Sequence, residues 1–345
     1  MPSVTPFRAL RYDESAAGPL ADLIAPPYDV IGDEEREALL AKSPYNIVHL
    51  TLPEDPADAG KALADWRAAG ILRDEEPALW WITQDYTGPD GVERSRDGIA
   101  GGIEATPYSE RQVLPHERTH AEAKEGRLKV LRETKAQLEP IFLIYDADPP
   151  VDAPTGDPDV DVTDGRVRTR LWRLPAQELQ IDVPFLIADG HHRYETAVAY
   201  RAEHPEAMHT FAVLVSSRSP GLEIFPTHRV VEFIDDVPEG LMTSTHDPRS
   251  LAMYHRGSFW RLESDDELDS RAVEKFIPEG ANLMYTPGAQ QAVDCVDEQM
   301  AEVAFLVRAP SVAQVMEFAE RGETMPQKST FFYPKLTSGL LLYPL

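Results

Sequence analysis

Apolar residues are grouped along the chain in two ways, and each grouping predicts a different element. Short apolar runs between polar residues are typical of buried strands, and such runs are Leu79–Ile82, Ile99–Ala105, Ile141–Tyr145, Phe185–Ala188, Phe211–Val215 and Val303–Val307. Segments with helix-favouring composition or helical spacing of apolar residues are Asp33–Ala41, Pro56–Ala69, Glu117–Leu138 and Ser311–Arg321. Because strands and helices interleave, the pattern predicts an α+β fold, that is, a mixed α/β architecture.

Proline-rich and acidic segments predict where the chain leaves regular structure. The 30 prolines are scattered and often stand beside acids, as in Asp148–Asp159. Proline lacks the backbone donor, so such segments are expected to be loops. The region from about Asp146 to Thr163 is the best candidate for an exposed linker. We expect one full-length unit, divided approximately into an N-terminal α/β part (1–145), a central part (164–235) and a C-terminal α/β part (236–345).

The charge balance limits the classes of partner. Lys and Arg number 33 against 59 Asp and Glu, so the formal charge is −26. Such an acidic chain is repelled by the DNA backbone and by anionic membranes, which argues against nucleic-acid and membrane partners. Met1–Leu10 lacks a basic stretch followed by an apolar run, so we expect a cytoplasmic protein. Cys295 is the only cysteine, which excludes an internal disulfide framework.

The most informative segment joins a predicted strand to a predicted helix through Asp189 and Gly190. It places His191, His192 and Arg193 near a helix N-terminus, where unpaired backbone donors, the helix dipole and a two-pronged guanidinium all favour phosphate. Gly190 lets the backbone approach a ligand closely. Asp189 can hold a divalent cation or orient a histidine. The alternative is a capped helix whose histidines lie on the surface.

This segment resembles a known signature. The order Asp-Gly-His-His-Arg-Tyr-Glu-Thr-Ala, from Asp189 to Ala197, is similar to that of the ParB/sulfiredoxin superfamily, which includes ParB, sulfiredoxin and the free L-serine kinases. The resemblance implies a ParB/sulfiredoxin-like core with additional α/β subdomain elements. It also implies that this turn receives nucleotide or substrate phosphate at its helix N-terminus.

A second resemblance extends over nearly the whole chain, to a full-length bacterial and archaeal family described as a domain of unknown function. The segments that carry it are Pro6–Ala9, Ala25–Ile31, Asn46–Leu50, His116–Thr119 with Lys124 and Arg127–Leu128, Pro140–Phe142, Pro226–Arg229 and Met325–Lys335. We associate members of that family with serine kinases that use pyrophosphate or a nucleotide as phosphoryl donor.

This second resemblance gives roles to one predicted helix. It implies that His116, Glu117 and Thr119 begin a helix near a reacting phosphate and that Lys124 and Arg127 follow it. A carboxylate within hydrogen-bond reach of an alcohol can accept its proton, so Glu117 is our first choice for the general base. The alternative for Glu117 is a first-turn glutamate that only stabilises the helix dipole.

The segment His116–His120 also reads H-E-x-x-H, a helix motif that binds zinc in metalloproteases. Because the flanking residues are charged, neither face of such a helix is apolar enough for the buried active-site helix of a protease. Ala123 also occupies the position at which the longer form of the motif has glycine. The zinc hypothesis is therefore the weaker one here.

Three further groups are weaker candidates for anion or substrate contacts. Near the C-terminus, Lys328, Ser329 and Thr330 resemble the tail of a P-loop, but the upstream glycine pattern is absent, which argues against a Walker site. With Lys335 nearby, this cluster can still bind the phosphate of a donor, and surface solubility is the alternative. The other two groups are the pairs Tyr28 and Asp29, and His228 and Arg229.

The first functional hypothesis is a phosphotransferase that acts on free L-serine or a similar small hydroxy compound. In this hypothesis Glu117 takes the hydroxyl proton, Asp189 helps to place Mg²⁺, and His191, His192 and Arg193 hold phosphate. The donor is pyrophosphate, ATP or ADP, and the sequence does not distinguish them. The alternatives are a ParB-like nucleotide-binding regulatory module and a metal-dependent phosphatase or nuclease. The oligomeric state stays open.

Overall fold

The computed structural model describes residues 2–119 and 121–345. The chain forms two compact units, of which the first contains residues 2–88, 92–222 and 334–345 and the second contains 89–91 and 223–333. Both units combine helices with sheets, so the predicted mixed α/β fold is confirmed. In sequence, the second unit is inserted into the first. The first unit therefore includes the last residues of the chain.

Helices and strands alternate along most of the described chain. The helices are α1 (Glu14–Ala17), α2 (Leu20–Leu23), α3 (Asp33–Lys42), α4 (Val48–Thr51), α5 (Pro56–Ala68), α6 (Ala121–Thr134), α7 (His191–Glu203), α8 (Asp269–Glu274), α9 (Ala289–Asp297) and α10 (Val312–Glu320). Short 3-10 turns cover Tyr28–Val30 and Tyr108–Glu110. None of the helices in residues 2–119 and 121–345 combines the length and the apolar character needed to cross a membrane.

The strands are mostly short. In the first unit they are β1 (Ser3–Val4), β2 (Leu10–Tyr12), β3 (Leu72–Asp74), β4 (Leu79–Thr87), β5 (Glu93–Glu104), β6 (Val113–Leu114), β7 (Ala136–Gln137), β8 (Ile141–Tyr145), β9 (Val160–Asp164), β10 (Val167–Leu174), β11 (Leu179–Gln180), β12 (Phe185–Asp189) and β13 (His209–Ser216). In the second unit they are β14 (Glu223–Phe225), β15 (His228–Val231), β16 (Leu241–Thr243), β17 (Ala252–His255), β18 (Ser258–Arg261), β19 (Leu283–Thr286), β20 (Val303–Leu306) and β21 (Phe331–Tyr333). Strand β22 (Tyr343–Pro344) returns to the first unit and pairs with β7.

An eight-stranded mixed sheet organises the first unit, in the order β6-β12-β8-β13-β5-β4-β10-β9. Strand β8 is the third in this order and runs antiparallel to β12 and parallel to β13. All five residues of β8 are buried, which explains why this strand is a continuous apolar run rather than an alternating one. Burial of each large apolar side chain contributes roughly 1.5–3 kcal/mol. The sheet therefore holds β12, and the turn that follows it, on a rigid base.

The predicted helix over Glu117–Leu138 is corrected at both ends, since α6 covers only Ala121–Thr134. At its N-terminal side, the backbone N–H of His116 is directed to the ring of His191. His116, Glu117 and Thr119 therefore precede the helix instead of beginning it. At the C-terminal side, Lys135 has a left-handed φ of 50°, which ends the helix, and the chain then enters β7.

The other predicted elements differ from the structure mainly in length. The runs predicted over Leu79–Ile82 and Ile99–Ala105 belong to the longer strands β4 and β5, which form a hairpin. Within the region proposed as a linker, residues 160–163 belong to β9, which pairs with β10. Polar residues in these strands, some of them buried such as Thr83 and Gln84, interrupt the apolar runs, so the sequence pattern underestimates the strand lengths.

The second unit is built on a six-stranded antiparallel sheet in the order β16-β18-β17-β20-β15-β19. Helix α9 contributes Ala292, Val293 and Val296, together with the buried Cys295, to an apolar cluster. Helix α10 begins with a capping box, in which Ser311 and Gln314 exchange hydrogen bonds. This helix matches the one predicted over Ser311–Arg321, and Ser311 and Arg321 are its caps.

Candidate functional site

The turn between β12 and α7 has the conformation predicted from its sequence. Gly190 stands at the N-cap position with φ 95° and ψ 30°, and α7 begins at His191. A left-handed residue without a side chain turns the chain sharply and leaves the first N–H groups of the helix without a side-chain cap. A Cβ atom at position 190 would lie 3.1 Å from the Cζ and Nε atoms of Arg193. Glycine therefore permits both the turn and the placement of Arg193.

Gly190→Ala is expected to destabilise the first unit by about 1–2 kcal/mol, because alanine is strained in the left-handed region. The added methyl group also pushes against the guanidinium of Arg193. Any activity that depends on the position of this guanidinium should therefore fall as well. The free energy of unfolding in urea measures the first effect. Gly126→Ala, inside α6 where a Cβ meets no atom within 4 Å, is the control and should stabilise by about 0.5–1 kcal/mol. Equal stability of both variants would contradict the assignment of strain to position 190.

Asp189, at the end of β12, joins two cations from distant parts of the first unit. Lys335 Nζ donates to its Oδ1 atom and Arg193 Nη2 donates to its Oδ2 atom. Arg193 also donates through Nη1 to the carbonyl oxygen of Pro140. The side chains of Asp189, Arg193 and Lys335 are 10%, 9% and 22% exposed. We call these three residues the Asp189 triad.

The charges of the Asp189 triad are strongly coupled. Burial opposes ionisation of Asp189, but Lys335 and Arg193 outweigh it, so the pKa of this carboxyl lies well below its ordinary value. For Arg193, burial is outweighed by the carboxylates of Asp189, Glu139 and Asp29, and its pKa lies above the ordinary value. Asp189 and Arg193 are therefore ionised at neutral pH. With one carboxylate between a guanidinium and an ammonium group, the triad carries one net positive charge next to the N-terminus of α7.

Two buried histidines lie beside the triad. The backbone N–H of His116 donates to Nε2 of His191 over 3.3 Å, and Nδ1 of His116 is 2.8 Å from the carbonyl oxygen of Ile187. The two rings meet edge to face, 4.7 Å apart. Burial lowers the pKa of His116 to about 4 and that of His191 well below its ordinary value. Both rings are therefore neutral at pH 7, and each carries its proton on Nδ1.

Glu117, the predicted general base, lies next to this histidine pair. Its Oε1 atom is 3.9 Å from Nε2 of His116, and its side chain is 26% exposed. Two other residues of the same predicted group meet on α7, where Glu195 accepts a hydrogen bond of 2.8 Å from Thr119 and lies 3.8 Å from Lys124 Nζ. The segment around Glu117 therefore follows one face of α7, on which His191 and Glu195 are one turn apart.

A second group of predicted residues surrounds a carboxylate that the sequence reading missed. The guanidinium of Arg127 lies 4.1 Å from the ring centre of Tyr28, and Asp29 is exposed in the same 3-10 turn. The backbone N–H of Tyr28 donates to Oε1 of Glu139 over 2.9 Å. Ser338 donates to the same oxygen over 2.8 Å. Glu139 is buried. In the sequence, the only local sign that this carboxylate belongs to the interior is its place in a Glu-Pro pair directly before a predicted strand.

Arg96 is the second residue that the sequence reading missed. It is only 1% exposed, and its Nη2 atom donates to Gln84 Oε1 and to the carbonyl oxygen of Pro334, the residue before Lys335. Burial lowers the pKa of Arg96 to about 10, so it is still charged at pH 7. Arg96 thereby ties the C-terminal segment to the first unit close to the Asp189 triad.

Five predicted site residues belong to the second unit. His228 is buried and accepts a hydrogen bond of 3.2 Å from the backbone of Val307 through Nδ1. Arg229 is also buried and contacts the ring of Tyr285 at 5.6 Å. Ser329 is buried too and donates to Ser270 over 2.9 Å. Lys328 precedes it with a left-handed φ of 55°, and Thr330 follows. Their roles as donor-side or anion contacts stay predictions.

The described residues do not form a resident metal site. Both oxygens of Asp189 face cations, and residues 2–119 and 121–345 contain no group of three His, Cys, Asp or Glu side chains that could hold a metal ion. The prediction that Asp189 binds Mg²⁺ stays a prediction, and in this arrangement the carboxylate does not fit it. For the zinc motif, His120 lies outside the described residues, and His116 and Glu117 precede α6 instead of lying on a helix.

Comparison with solved structures gives distant similarities. A free serine kinase in complex with AMP aligns with 17% identity and a TM-score of 0.42 over 68% of this chain and 86% of that chain. A conserved hypothetical protein from Pyrococcus furiosus has 15% identity and a TM-score of 0.39, over 68% of this chain and 90% of that one. C-terminally truncated SbnI from Staphylococcus aureus has 12% identity and a TM-score of 0.43, over 69% of this chain and 85% of that chain.

At the level of sequence, no curated protein matches this chain. The family comparison gives a different result. A family model described as "Protein of unknown function (DUF1015)" matches residues 4–294. Since these residues make up most of the chain, and since the motifs quoted above extend through them, the protein belongs to the DUF1015 family.

Proposed function

We propose that this protein is a phosphotransferase that phosphorylates free L-serine, or a similarly small hydroxy compound, with pyrophosphate or a nucleotide as donor. The observation that carries the proposal is the Asp189 triad at the uncapped N-terminus of α7. Its net positive charge and the helix dipole favour a phosphate group at this position. The resemblance of the Asp189–Ala197 segment to the free serine kinases supports the same assignment.

The proposed reaction transfers one phosphoryl group without an intermediate on the protein. The hydroxyl oxygen of the acceptor attacks the terminal phosphorus, the bond from phosphorus to the bridging oxygen breaks, and that oxygen keeps the electron pair. Glu117 accepts the hydroxyl proton. The products are the phosphate ester and phosphate, ADP or AMP, according to the donor. Any Mg²⁺ in this scheme arrives with the donor phosphates.

The neutral histidines suit this proposal. Because His191 accepts the His116 N–H at Nε2, its Nδ1–H is a donor that does not change charge near pH 7. Arg193 and Lys335 are held in place by Asp189 before any ligand binds. Donors that are fixed in advance stabilise the charge that develops on a transferring phosphoryl group without reorganising during the reaction.

A direct assay tests the proposal. Purified protein is incubated with Mg²⁺, L-serine and, in separate reactions, ATP, ADP or pyrophosphate, and O-phosphoserine is measured. We expect the product with at least one donor. No O-phosphoserine with any of the three would overturn the proposal. Release of phosphate at the same rate with and without serine would instead identify a phosphatase.

Glu117→Gln is expected to lower kcat by about 10²–10⁴-fold, the range typical of a lost general base, while the Kd of the donor stays unchanged. Glutamine has nearly the same shape but cannot accept the proton. Glu122→Gln, an exposed position in the first turn of α6, is the matched control and should keep full activity. If Glu117→Gln weakens donor binding as much as turnover, Glu117 supports the site and is not the base.

A further inference from the structure

A small cavity of about 60 Å³ lies in the first unit behind Arg193. Residues of α6, α7, β7, β8 and β13 form its wall. Its charged lining consists of Arg127, Glu139 and Arg193, and its neutral polar lining consists of Gln137, Thr196 and Thr210. Since Arg193 contacts both this cavity and Asp189, the cavity is next to the proposed phosphate position.

The volume of the cavity restricts what it can hold. A water molecule needs roughly 10–15 Å³ on this measure, so 60 Å³ accommodates about four to six groups of that size. That range suits a compound with very few heavy atoms beyond its charged ends. A nucleoside is several times too large for this space. The cavity therefore fits the acceptor of the proposed reaction better than a nucleotide donor.

The charges in the lining favour a compound that carries both signs. Glu139 is 7% exposed, and the backbone of Tyr28 and the hydroxyl of Ser338 both donate to its Oε1 atom. Burial raises the pKa of Glu139 even though Arg193 and Arg127 act in the opposite direction. Burial therefore disfavours its charged form, and an added cation at the carboxylate would stabilise that form.

Arg127 supplies the opposite charge. One of its nitrogen atoms donates to the carbonyl oxygen of Thr51 over 2.5 Å, and its Cζ atom lies over the ring of Tyr28, 4.1 Å from the ring centre. A guanidinium has five N–H donors, so this contact leaves others for a carboxylate ligand. The hydrogen bond and the ring contact together hold the guanidinium beside the cavity.

We infer that this cavity binds the zwitterionic end of a free α-amino acid, with Glu139 on the ammonium group and Arg127 on the carboxylate. The inference rests on the proposed function, since it concerns the acceptor of that reaction. It makes Glu139 the residue that distinguishes an amino acid from a hydroxy acid of the same size. A hydroxy acid without an amino group leaves the carboxylate of Glu139 without its cation.

Calorimetric titration tests this inference with L-serine and with 3-hydroxypropionate, which lacks only the ammonium group. The wild-type protein should bind L-serine at least 10-fold more tightly than 3-hydroxypropionate. Glu139→Gln should remove this preference by weakening L-serine alone. The control is Glu133→Gln, the same change at an exposed position of α6, and it should behave as the wild type.

The outcomes separate the two proposals. If the wild-type protein binds both compounds equally, or if Glu139→Gln weakens both equally, the amino-acid cavity is wrong whatever the kinase assay shows. If L-serine binds selectively through Glu139 but no O-phosphoserine forms with any donor, the cavity stands and the kinase proposal falls. Loss of folding is not expected, because Glu139→Gln removes a charge that burial disfavours.

Discussion

Asp189→Asn is expected to abolish O-phosphoserine formation and to destabilise the first unit by roughly 3–5 kcal/mol, the cost of removing one partner from a buried ion pair. Asparagine keeps the shape of the side chain but removes the negative charge that Lys335 and Arg193 share. Two cations then remain close together near α7 with no carboxylate between them. Urea denaturation and the serine assay measure the two effects separately.

Asp182→Asn is the matched control, because Asp182 is an exposed aspartate shortly before β12. It should change neither stability nor activity by a measurable amount. Lys335→Met provides a second comparison, since it leaves the ion pair between Asp189 and Arg193 intact and should cost less stability than Asp189→Asn. If Asp189→Asn is as stable as the wild type, the triad does not hold the turn in place.

The second large effect is a loss of stability in mild acid that depends on His116. Burial lowers the pKa of His116 in the folded protein to about 4, against about 6.5 in an unfolded chain. Between these values the unfolded state binds more protons, so stability falls as the pH decreases through this window. The loss attributable to His116 is about 2 kcal/mol at pH 5 relative to pH 7.5.

His116→Asn should reduce this pH dependence, because asparagine can donate to the carbonyl of Ile187 but does not titrate. The free energy of unfolding is measured in urea at pH 7.5, 6 and 5 for the wild type, for His116→Asn and for His204→Asn. His204 has a side chain that is 42% exposed, so its replacement should leave the pH dependence unchanged. An unaltered slope in His116→Asn would show that His116 titrates normally in the folded protein.

The sequence predicts best those elements whose signal is local. Ile141–Tyr145 is apolar throughout and is buried throughout, so its limits are visible in the pattern. The turn at Gly190 is predictable from the sequence, because few other residues adopt φ 95° without strain. The helix predicted over Glu117–Leu138 is shorter at both ends, since Thr119 bonds to Glu195 before it and Lys135 adopts a left-handed φ of 50° after it.

In the candidate site, too, the residues with a local sequence signal were predicted and those placed only by tertiary contacts were not. Arg193 and Asp189 were found because they stand four residues apart in one motif. Lys335 was found through the family resemblance, but its pairing with Asp189 has no local signal, since the two are separated by 146 residues. Glu139 and Arg96 were missed because a charged residue beside an apolar run is also typical of a surface. Only the tertiary structure distinguishes those cases.

The separation of Asp189 from Lys335 also sets an order of events during synthesis. At about 5–20 residues per second, the 146 positions between them take roughly 7 to 30 s to translate. Most of the second unit, residues 223–333, is made during this interval. Throughout it the nascent first unit has Arg193 but not Lys335 beside its buried carboxylate. The Asp189 triad is therefore completed only after residues 223–333 have been made.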